Sequence, residues 1–289
     1  MSEHVSIWYE WLGVPIKQYY VVVNGIRTRV VEAGDGEALI LVHGTGGHVE
    51  AYARNLRELS KHFRVITYDM VGHGLSEKPD LPYTIDVLSD HLVGLAKALQ
   101  LERFHVSGES LGGWVAAWTA AHHPDMVGKL FLNTPGNITN KPEVMQRVKE
   151  STIKAVVEAN RENVRSRLEW LFYDKSFVTE ELVDIRLNIY RQPEMKKAVY
   201  HIVSVQEWDI RKRYAWDPAW VGNIKAPTLI IWTDHDPTGT VEEAELLHSW
   251  IPGSEFLLIQ DAGHWPQWEK PEAFNKAHID FIQKGSSIR

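Results

Sequence analysis

The chain has 289 residues, a formal net charge of -7 and no cysteine, and this length suits one α/β core that carries an insertion. Because no Lys- or Arg-rich block offsets the negative charge, nucleic acid and anionic membrane surfaces are disfavoured as partners, and a small-molecule partner is expected. The lack of cysteine excludes disulfides, thiolate metal sites and a cysteine nucleophile.

The sequence has no segment that predicts export or membrane insertion. The first thirty residues lack a basic stretch followed by a continuous apolar one, and no later apolar run approaches the length of a membrane span. The 14 histidines include no H-E-x-x-H or comparable ligand spacing. We therefore expect a cytoplasmic protein with no metal site and no cofactor.

The predicted elements begin with two short strands, residues 21–23 and 26–31, joined at Asn24-Gly25 by a tight hairpin turn. Later apolar runs lack alternation, which is typical of strands buried on both faces of a parallel sheet. These runs are residues 38–42 and 63–68, and four further strands are predicted at residues 103–107, 129–133, 228–232 and 255–260. Helices are predicted around residues 51–60, 83–101 and 114–122. The alternation predicts an α/β fold, a doubly wound, mostly parallel sheet with active-site loops at the carboxyl ends of its strands.

The distribution of glycine marks a second unit. All 20 glycines fall within residues 1–136 or 222–289, so the segment 137–221 has none. We expect this segment to be helical and to form a lid inserted over the site. The predicted domains are therefore a core of residues 1–136 and 222–289 and a helical lid of residues 137–221.

The most informative motif is G-E-S-L-G at residues 108–112, between a predicted strand and a predicted helix. A nucleophile elbow has this pattern because its strained turn holds a serine with the hydroxyl exposed, and the small flanking residues let strand and helix approach closely. An ordinary strand-to-helix turn with a surface serine is the competing interpretation. The residues downstream favour the elbow, so Ser110 is the predicted nucleophile.

An acid and a base follow Ser110 in the order that accompanies such an elbow. Asp236 comes just after the strand predicted at residues 228–232, and His264 just after the one at 255–260. An imidazole with a pKa near 7 suits the general base that a serine hydroxyl needs, so His264 is predicted in that role. Asp236 would orient the imidazole, and Asp234 is the rival acid.

A glycine-rich loop, H-G-T-G-G at residues 43–47, follows a predicted strand. Its backbone amides can stabilise negative charge that develops on a carbonyl oxygen. Phosphate binding is disfavoured because no Gly-Lys-Ser/Thr follows. We therefore predict an oxyanion hole from the backbone amides of Thr45, Gly46 and Leu111.

Four motifs together resemble the α/β-hydrolase superfamily over essentially the whole chain: H-G-T-G-G, D-M-V-G-H-G-L-S, G-E-S-L-G-G and D-A-G-H. The H-W-P-Q-W-E segment that begins at His264 further resembles meta-cleavage product hydrolases. Those enzymes split carbon–carbon bonds in ring-opened aromatic catabolites of the 2-hydroxy-6-oxohexa-2,4-dienoate type. The resemblance implies an α/β-hydrolase fold, an anionic dienoate as substrate, and a homodimer or larger homo-oligomer.

The same resemblance implies three substrate-binding residues. Trp268 takes the position of a tryptophan beside the substrate, and Asn55 that of an asparagine near its dienol end. Arg186 matches the cap arginine that grips the substrate carboxylate, since a guanidinium can hold a carboxylate by two parallel hydrogen bonds. Solvated helix-surface side chains would give the same pattern at Asn55 and Arg186.

Glu109 departs from the family pattern, which usually has asparagine before the serine, and the H-G-T-G-G loop is shorter than the family's. Both changes fall on the substrate pocket, so Glu109 is counted among the residues that contact substrate. Its carboxylate either repels an anionic dienoate, alters its ketonisation, or points away from the site.

In the implied reaction the dienol is ketonised, the C6 carbonyl is attacked with Ser110 and His264 taking part, and the C5–C6 bond breaks. Attack by serine and attack by an activated water both fit the sequence. A carboxylesterase or lactonase with the same triad is the alternative activity. A ligand receptor without catalysis would require a broken triad or a ligand that is retained unchanged.

Overall fold

A computed structural model describes residues 6–284 of the chain. Its strands are β1 (Lys17–Val23), β2 (Ile26–Ala33), β3 (Ala38–Val42), β4 (Arg64–Tyr68), β5 (Phe104–Glu109), β6 (Val127–Asn133), β7 (Thr228–Thr233) and β8 (Glu255–Ile259). They form one sheet in the order β1-β2-β4-β3-β5-β6-β7-β8. The pairings β1/β2 and β2/β4 are antiparallel and the others are parallel. The predicted doubly wound, mostly parallel sheet is confirmed.

The hairpin that opens the sheet turns at Asn24 and Gly25. Both residues have positive φ, 51° and 83° respectively. A two-residue hairpin turn needs two such left-handed residues for its twist to match that of the flanking strands. The Asn-Gly dipeptide therefore sets the register of β1 against β2.

Helices cover the sheet. They are α1 (Ile7–Trp11), α2 (Ala53–Leu59), α3 (Ile85–Ala98), α4 (Leu111–His122), α5 (Pro142–Val157), α6 (Arg161–Leu171), α7 (Glu180–Tyr190), α8 (Met195–Ile202), α9 (Trp208–Arg211), α10 (Pro218–Val221), α11 (Val241–Trp250), α12 (Pro266–Glu269) and α13 (Pro271–Lys284). Every residue of β3 and β7 is buried, so helices pack on both faces there. Between residues 6 and 284, no helix has the length and apolar character needed to cross a membrane.

The segment 137–221 contains α5 to α10 and two short 3-10 helices, and it has no strand. Within it α5 packs against α6, and α6 against α7. Backbone and side-chain hydrogen bonds join it to the rest of the fold: the His264 amide donates to the Leu171 carbonyl at 2.7 Å, and the Trp114 indole donates to the Tyr214 carbonyl at 3.0 Å. These contacts hold the helices against the edge of the sheet where β5 and β8 end.

Candidate active site

Ser110 lies in a strained turn between β5 and α4. Its backbone angles are φ 55° and ψ -117°, a conformation that L residues rarely adopt. The turn is possible because strand and helix nearly touch: a Cβ on Gly108 would lie 2.1 Å from the Gly112 carbonyl oxygen, and one on Gly112 would lie 2.2 Å from that of Val42. The elbow therefore requires glycine at both positions, and the Ser110 side chain lines a pocket.

His264 and Asp236 meet beside this pocket although 28 residues separate them. The His264 Nδ1 lies 2.9 Å and 3.0 Å from the two carboxylate oxygens of Asp236. Thr238 holds that carboxylate in place, since its backbone amide and its hydroxyl each donate to Asp236 at 2.8 Å. Asp234 instead accepts hydrogen bonds from the backbone amides of the loop at residues 261–262. The structure therefore pairs Asp236, and not its rival, with the histidine.

Glu109 points into the site rather than away from it. Its carboxylate is 1% exposed, and its Oε1 lies 3.4 Å from the His264 Nε2, the ring nitrogen opposite Asp236. Its Oε2 has no hydrogen-bond partner among the side chains of the described part. The imidazole thus lies between two carboxylates, and Glu109 occupies the side from which a serine proton would arrive.

This arrangement changes the protonation of both groups. Burial raises the pKa of Glu109 to about 6, although the charges of His264 and Arg186 oppose the rise. Burial alone would lower the pKa of His264, but the charge and hydrogen bond of Asp236, with the charge of Glu109, raise it above its ordinary value. The Glu109–His264 pair therefore retains a proton near neutral pH, and that proton must leave before His264 can act as a base.

Glu109→Gln should move the acidic limb of the kcat/KM profile to lower pH. The substitution removes a negative charge that raises the pKa of His264, so the free base persists to lower pH. At pH 6 the variant should retain roughly 3- to 10-fold more of its own plateau rate than the wild type retains. Rates measured from pH 5 to 9 test this. Glu245→Gln, an exposed carboxylate on α11, should leave the profile unchanged, and an unshifted limb in Glu109→Gln would contradict the role given to this carboxylate.

The loop after β3 lies against the nucleophile. A Cβ on Gly44 would lie 2.9 Å from the Ser110 Cβ, so a side chain there would displace the serine. Thr45 and Leu111 line the pocket. Leu111 is the first residue of α4, where the amides have no partner inside the helix and can bind an oxyanion. Gly46 is not part of the pocket wall; its carbonyl accepts a hydrogen bond of 2.9 Å from the Tyr190 hydroxyl.

Arg186, from α7, also reaches the pocket and is 1% exposed. Its Nε donates to the His48 Nε2 at 3.4 Å, which requires His48 to carry its proton on Nδ1. That nitrogen lies 2.8 Å from a carboxylate oxygen of Glu50. The Arg186 Nη2 has no partner among the described residues. The buried Arg186 guanidinium is thus hydrogen-bonded through its Nε and has N–H donors left for a ligand of the pocket that it lines.

Two residues that the resemblance assigned to substrate lie behind the pocket wall. Asn55 is fully buried and its amide nitrogen donates to the Gln267 carbonyl and to the Asn275 side chain. Trp268 is also fully buried, and its neighbour Trp265 lines the pocket in its place. The reason is local: Trp265 precedes α12 as its N-cap residue, with non-helical angles of φ -117° and ψ 66°, whereas Trp268 lies inside the helix.

Two further arginines line the pocket wall and were not predicted from the sequence. Arg167 comes from α6 and Arg211 from α9, and both are buried. The glycine-rich loop connects to the first of these, because the Arg167 Nη2 donates to the Thr45 carbonyl at 3.3 Å. Neither arginine belongs to a motif, and only the packing of the helices brings them to the site. Among residues 6–284 no group of His, Asp and Glu is arranged to hold a metal ion.

A family model described as the alpha/beta hydrolase fold matches residues 37–271. The chain therefore belongs to the α/β-hydrolase family. A 2-hydroxy-6-oxo-6-phenylhexa-2,4-dienoate hydrolase of Comamonas testosteroni is 33% identical over 267 residues, covering 88% of this chain and 90% of the relative. A 2-hydroxy-6-oxononadienedioate/2-hydroxy-6-oxononatrienedioate hydrolase of the same species is 30% identical over 275 residues, with coverage of 91% and 93%.

Solved structures agree with these relatives. A meta-cleavage product hydrolase from Pseudomonas fluorescens IP01 superposes with a TM-score of 0.81 at 28% identity, covering 93% of this chain and 98% of that one. A serine hydrolase involved in carbazole degradation superposes with a TM-score of 0.80 at 27% identity, covering 93% and 99%. Within its family the chain is thus similar to the meta-cleavage product hydrolases, as its motifs predicted.

Proposed function

We propose that this chain is a serine-dependent hydrolase that cleaves the C5–C6 bond of a 2-hydroxy-6-oxohexa-2,4-dienoate. The observation that carries the proposal is one pocket whose wall holds Ser110, His264 and an arginine with unused donors, Arg186. Serine and imidazole supply attack on a carbonyl, and the guanidinium supplies recognition of a carboxylate. The names of the relatives support the dienoate as the substrate class.

Each site residue has a distinct role in this reaction. Arg186 binds the dienoate carboxylate and fixes its direction. His264, oriented by Asp236, takes the proton of Ser110 and later returns it to the leaving carbon fragment. The backbone amides of Thr45, in the glycine-rich loop, and of Leu111 stabilise the oxyanion that forms at C6, and Gly46 takes no part because it lies outside the pocket wall.

Net hydrolysis adds one water across the C5–C6 bond and releases 2-hydroxypentadienoate and a carboxylic acid. Direct attack by Ser110 forms an ester intermediate, whereas an activated water would bypass it. The strained position of Ser110 at the elbow supports direct attack, because strain at such a turn serves to expose a nucleophile.

The remaining parts of the proposal concern the whole chain. Residues 137–221 act as a lid over a core formed by residues 1–136 and 222–289, since the lid helices supply Arg186 and other pocket residues. The protein works in the cytoplasm as a homodimer or larger homo-oligomer, as its family resemblance implies. No part of the reaction calls for a metal or a cofactor.

The test is a panel of yellow 2-hydroxy-6-oxo-dienoates with different C6 substituents, and p-nitrophenyl esters measured in parallel. Loss of visible absorbance follows cleavage of each dienoate. Rapid bleaching with poor ester turnover is the expected result. Inert dienoates with fast ester hydrolysis would replace this proposal with a carboxylesterase or lactonase. The panel also ranks the C6 substituents by kcat/KM.

A further inference from the structure

The pocket contains more buried positive charge than the dienoate carboxylate requires. Arg167, Arg186 and Arg211 line it and are 4%, 1% and 1% exposed. None of the three forms an ion pair with a carboxylate of the described residues. Arg29, an arginine buried elsewhere in the core, forms ion pairs with two carboxylates, Glu50 at 2.6 Å and Asp69 at 3.4 Å. Glu109 also lines the pocket and its charge interacts with those of Arg186 and Arg167, so Arg211 is the buried arginine on which no anion of the described residues acts, although buried charges in proteins are usually paired.

The proposed mechanism uses neither Arg167 nor Arg211. Arg167 donates to the glycine-rich loop at Thr45, whereas Arg211 donates no hydrogen bond to that loop. Its Nε, Nη2 and Nη1 donate to the Asn140 side chain at 2.5 Å and to the carbonyls of Asn137 and Val205 at 2.7 Å and 3.4 Å. The guanidinium carbon also lies 4.3 Å from the ring centroid of Trp114. All these acceptors are neutral. A guanidinium has five N–H bonds, so two remain for a further acceptor.

Arg211 and Arg186 serve different parts of the pocket. Arg186 contacts His48, in the loop after β3, whereas Arg211 contacts Asn137, in the loop after β6, and Trp114 of α4. Burial lowers the pKa of Arg211 to about 9, with no neighbouring charge contributing. Apolar residues also line the pocket, namely Trp114, Val144, Val148 and Leu171. A ligand with an apolar middle and an anionic group at each end fits this distribution.

We propose that Arg211 forms a second anion subsite, which binds a carboxylate at the end of the C6 substituent while Arg186 binds the dienoate carboxylate. This inference rests on the proposed function and narrows its substrate class to 2-hydroxy-6-oxo-dienedioic acids. Hydrolysis of such a substrate adds one water and releases 2-hydroxypentadienoate and a dicarboxylic acid. Arg211 is then a specificity-determining residue that contacts substrate far from the bond that breaks.

The experiment compares two dienoates of equal length, one with a terminal carboxylate on the C6 substituent and one with a terminal amide. Wild-type enzyme should favour the acid by about 10- to 100-fold in kcat/KM, the effect of one charge-assisted pair of hydrogen bonds. Arg211→Gln should reduce this ratio to about one by lowering kcat/KM for the acid substrate. Arg213→Gln, which changes an exposed neighbour, should preserve the ratio. Equal losses of kcat/KM on both substrates, or a wild-type preference for the amide, would show that Arg211 has only a structural role.

Two further measurements cover the other outcomes. If Arg211→Gln fails to fold, the proposal is tested by the acid-to-amide ratio of the wild type and of Arg211→Lys. Lysine keeps the charge, so this variant should retain part of the preference for the acid. If neither dienoate is cleaved, the proposed function fails, and binding of glutarate against its monoamide, glutaramate, is measured by calorimetry. A glutarate preference of 10-fold or more that Arg211→Lys weakens would still support the subsite, and equal affinities would overturn it.

Discussion

Ser110→Ala is expected to lower kcat on the best dienoate by about 10⁴-fold or more, with the fold unchanged. The substitution removes the hydroxyl at the elbow, and no other serine lines the pocket in the described part of the chain. His264→Ala should cause a loss of similar size, because a serine without its base is a poor nucleophile. The two losses should not add in the double variant, since the residues act as one unit.

The matched control is Ser107→Ala, on β5, the strand that leads into the elbow. The Ser107 hydroxyl contacts His278 and Asn133 behind the site, so this variant should be less stable but keep kcat within about twofold. Mass spectrometry of the rapidly quenched wild type should show an acyl group on the peptide that contains Ser110. Absence of that group during turnover would favour the water mechanism, and full activity in Ser110→Ala would refute the triad itself.

Arg186→Gln is expected to raise KM for the dienoate roughly 10- to 100-fold and to change kcat less. The guanidinium is buried with its Nη2 unused, so a carboxylate that binds there gains charge-assisted hydrogen bonds without displacing a protein partner. Arg186→Lys should recover part of the loss, because it restores the charge without the two-pronged geometry. Steady-state kinetics at fixed pH measure both effects.

Arg191→Gln is the control for this prediction. Arg191 follows α7, is exposed, and donates to the Ala159 carbonyl, so its loss should leave KM unchanged. An unchanged KM in Arg186→Gln as well would reject the carboxylate-binding role. A fall in kcat with KM unaltered would instead indicate that Arg186 positions the loop that carries His48.

The sequence predicted the chemistry of the site better than its geometry. Asp236 and Asp234 both follow β7, and the sequence left both as candidates. The choice depends on the loop at residues 261–262, whose backbone amides donate hydrogen bonds to Asp234. It also depends on Thr238, which donates to Asp236 and holds it toward His264. Those contacts join segments far apart in sequence, so spacing alone could not reveal them.

The same limit applies to the substrate end of the pocket. Trp265 and Trp268 belong to one segment, and the resemblance selected Trp268, but Trp265, the non-helical residue before α12, lines the pocket instead. Arg167 and Arg211 belong to different helices and to no motif. Their presence in the pocket depends on how the helices of residues 137–221 pack, which no local pattern encodes.

The sequence by itself determined the order of strands and helices, the elbow at Ser110 and the order of acid and base after it. These features depend on local rules: apolar spacing, and the need for glycine where two backbones nearly touch. The tertiary structure alone decided that Glu109 faces His264 and that three arginines share the pocket without carboxylate partners. Those facts depend on side-chain directions and on desolvation, both of which arise only when distant segments pack together.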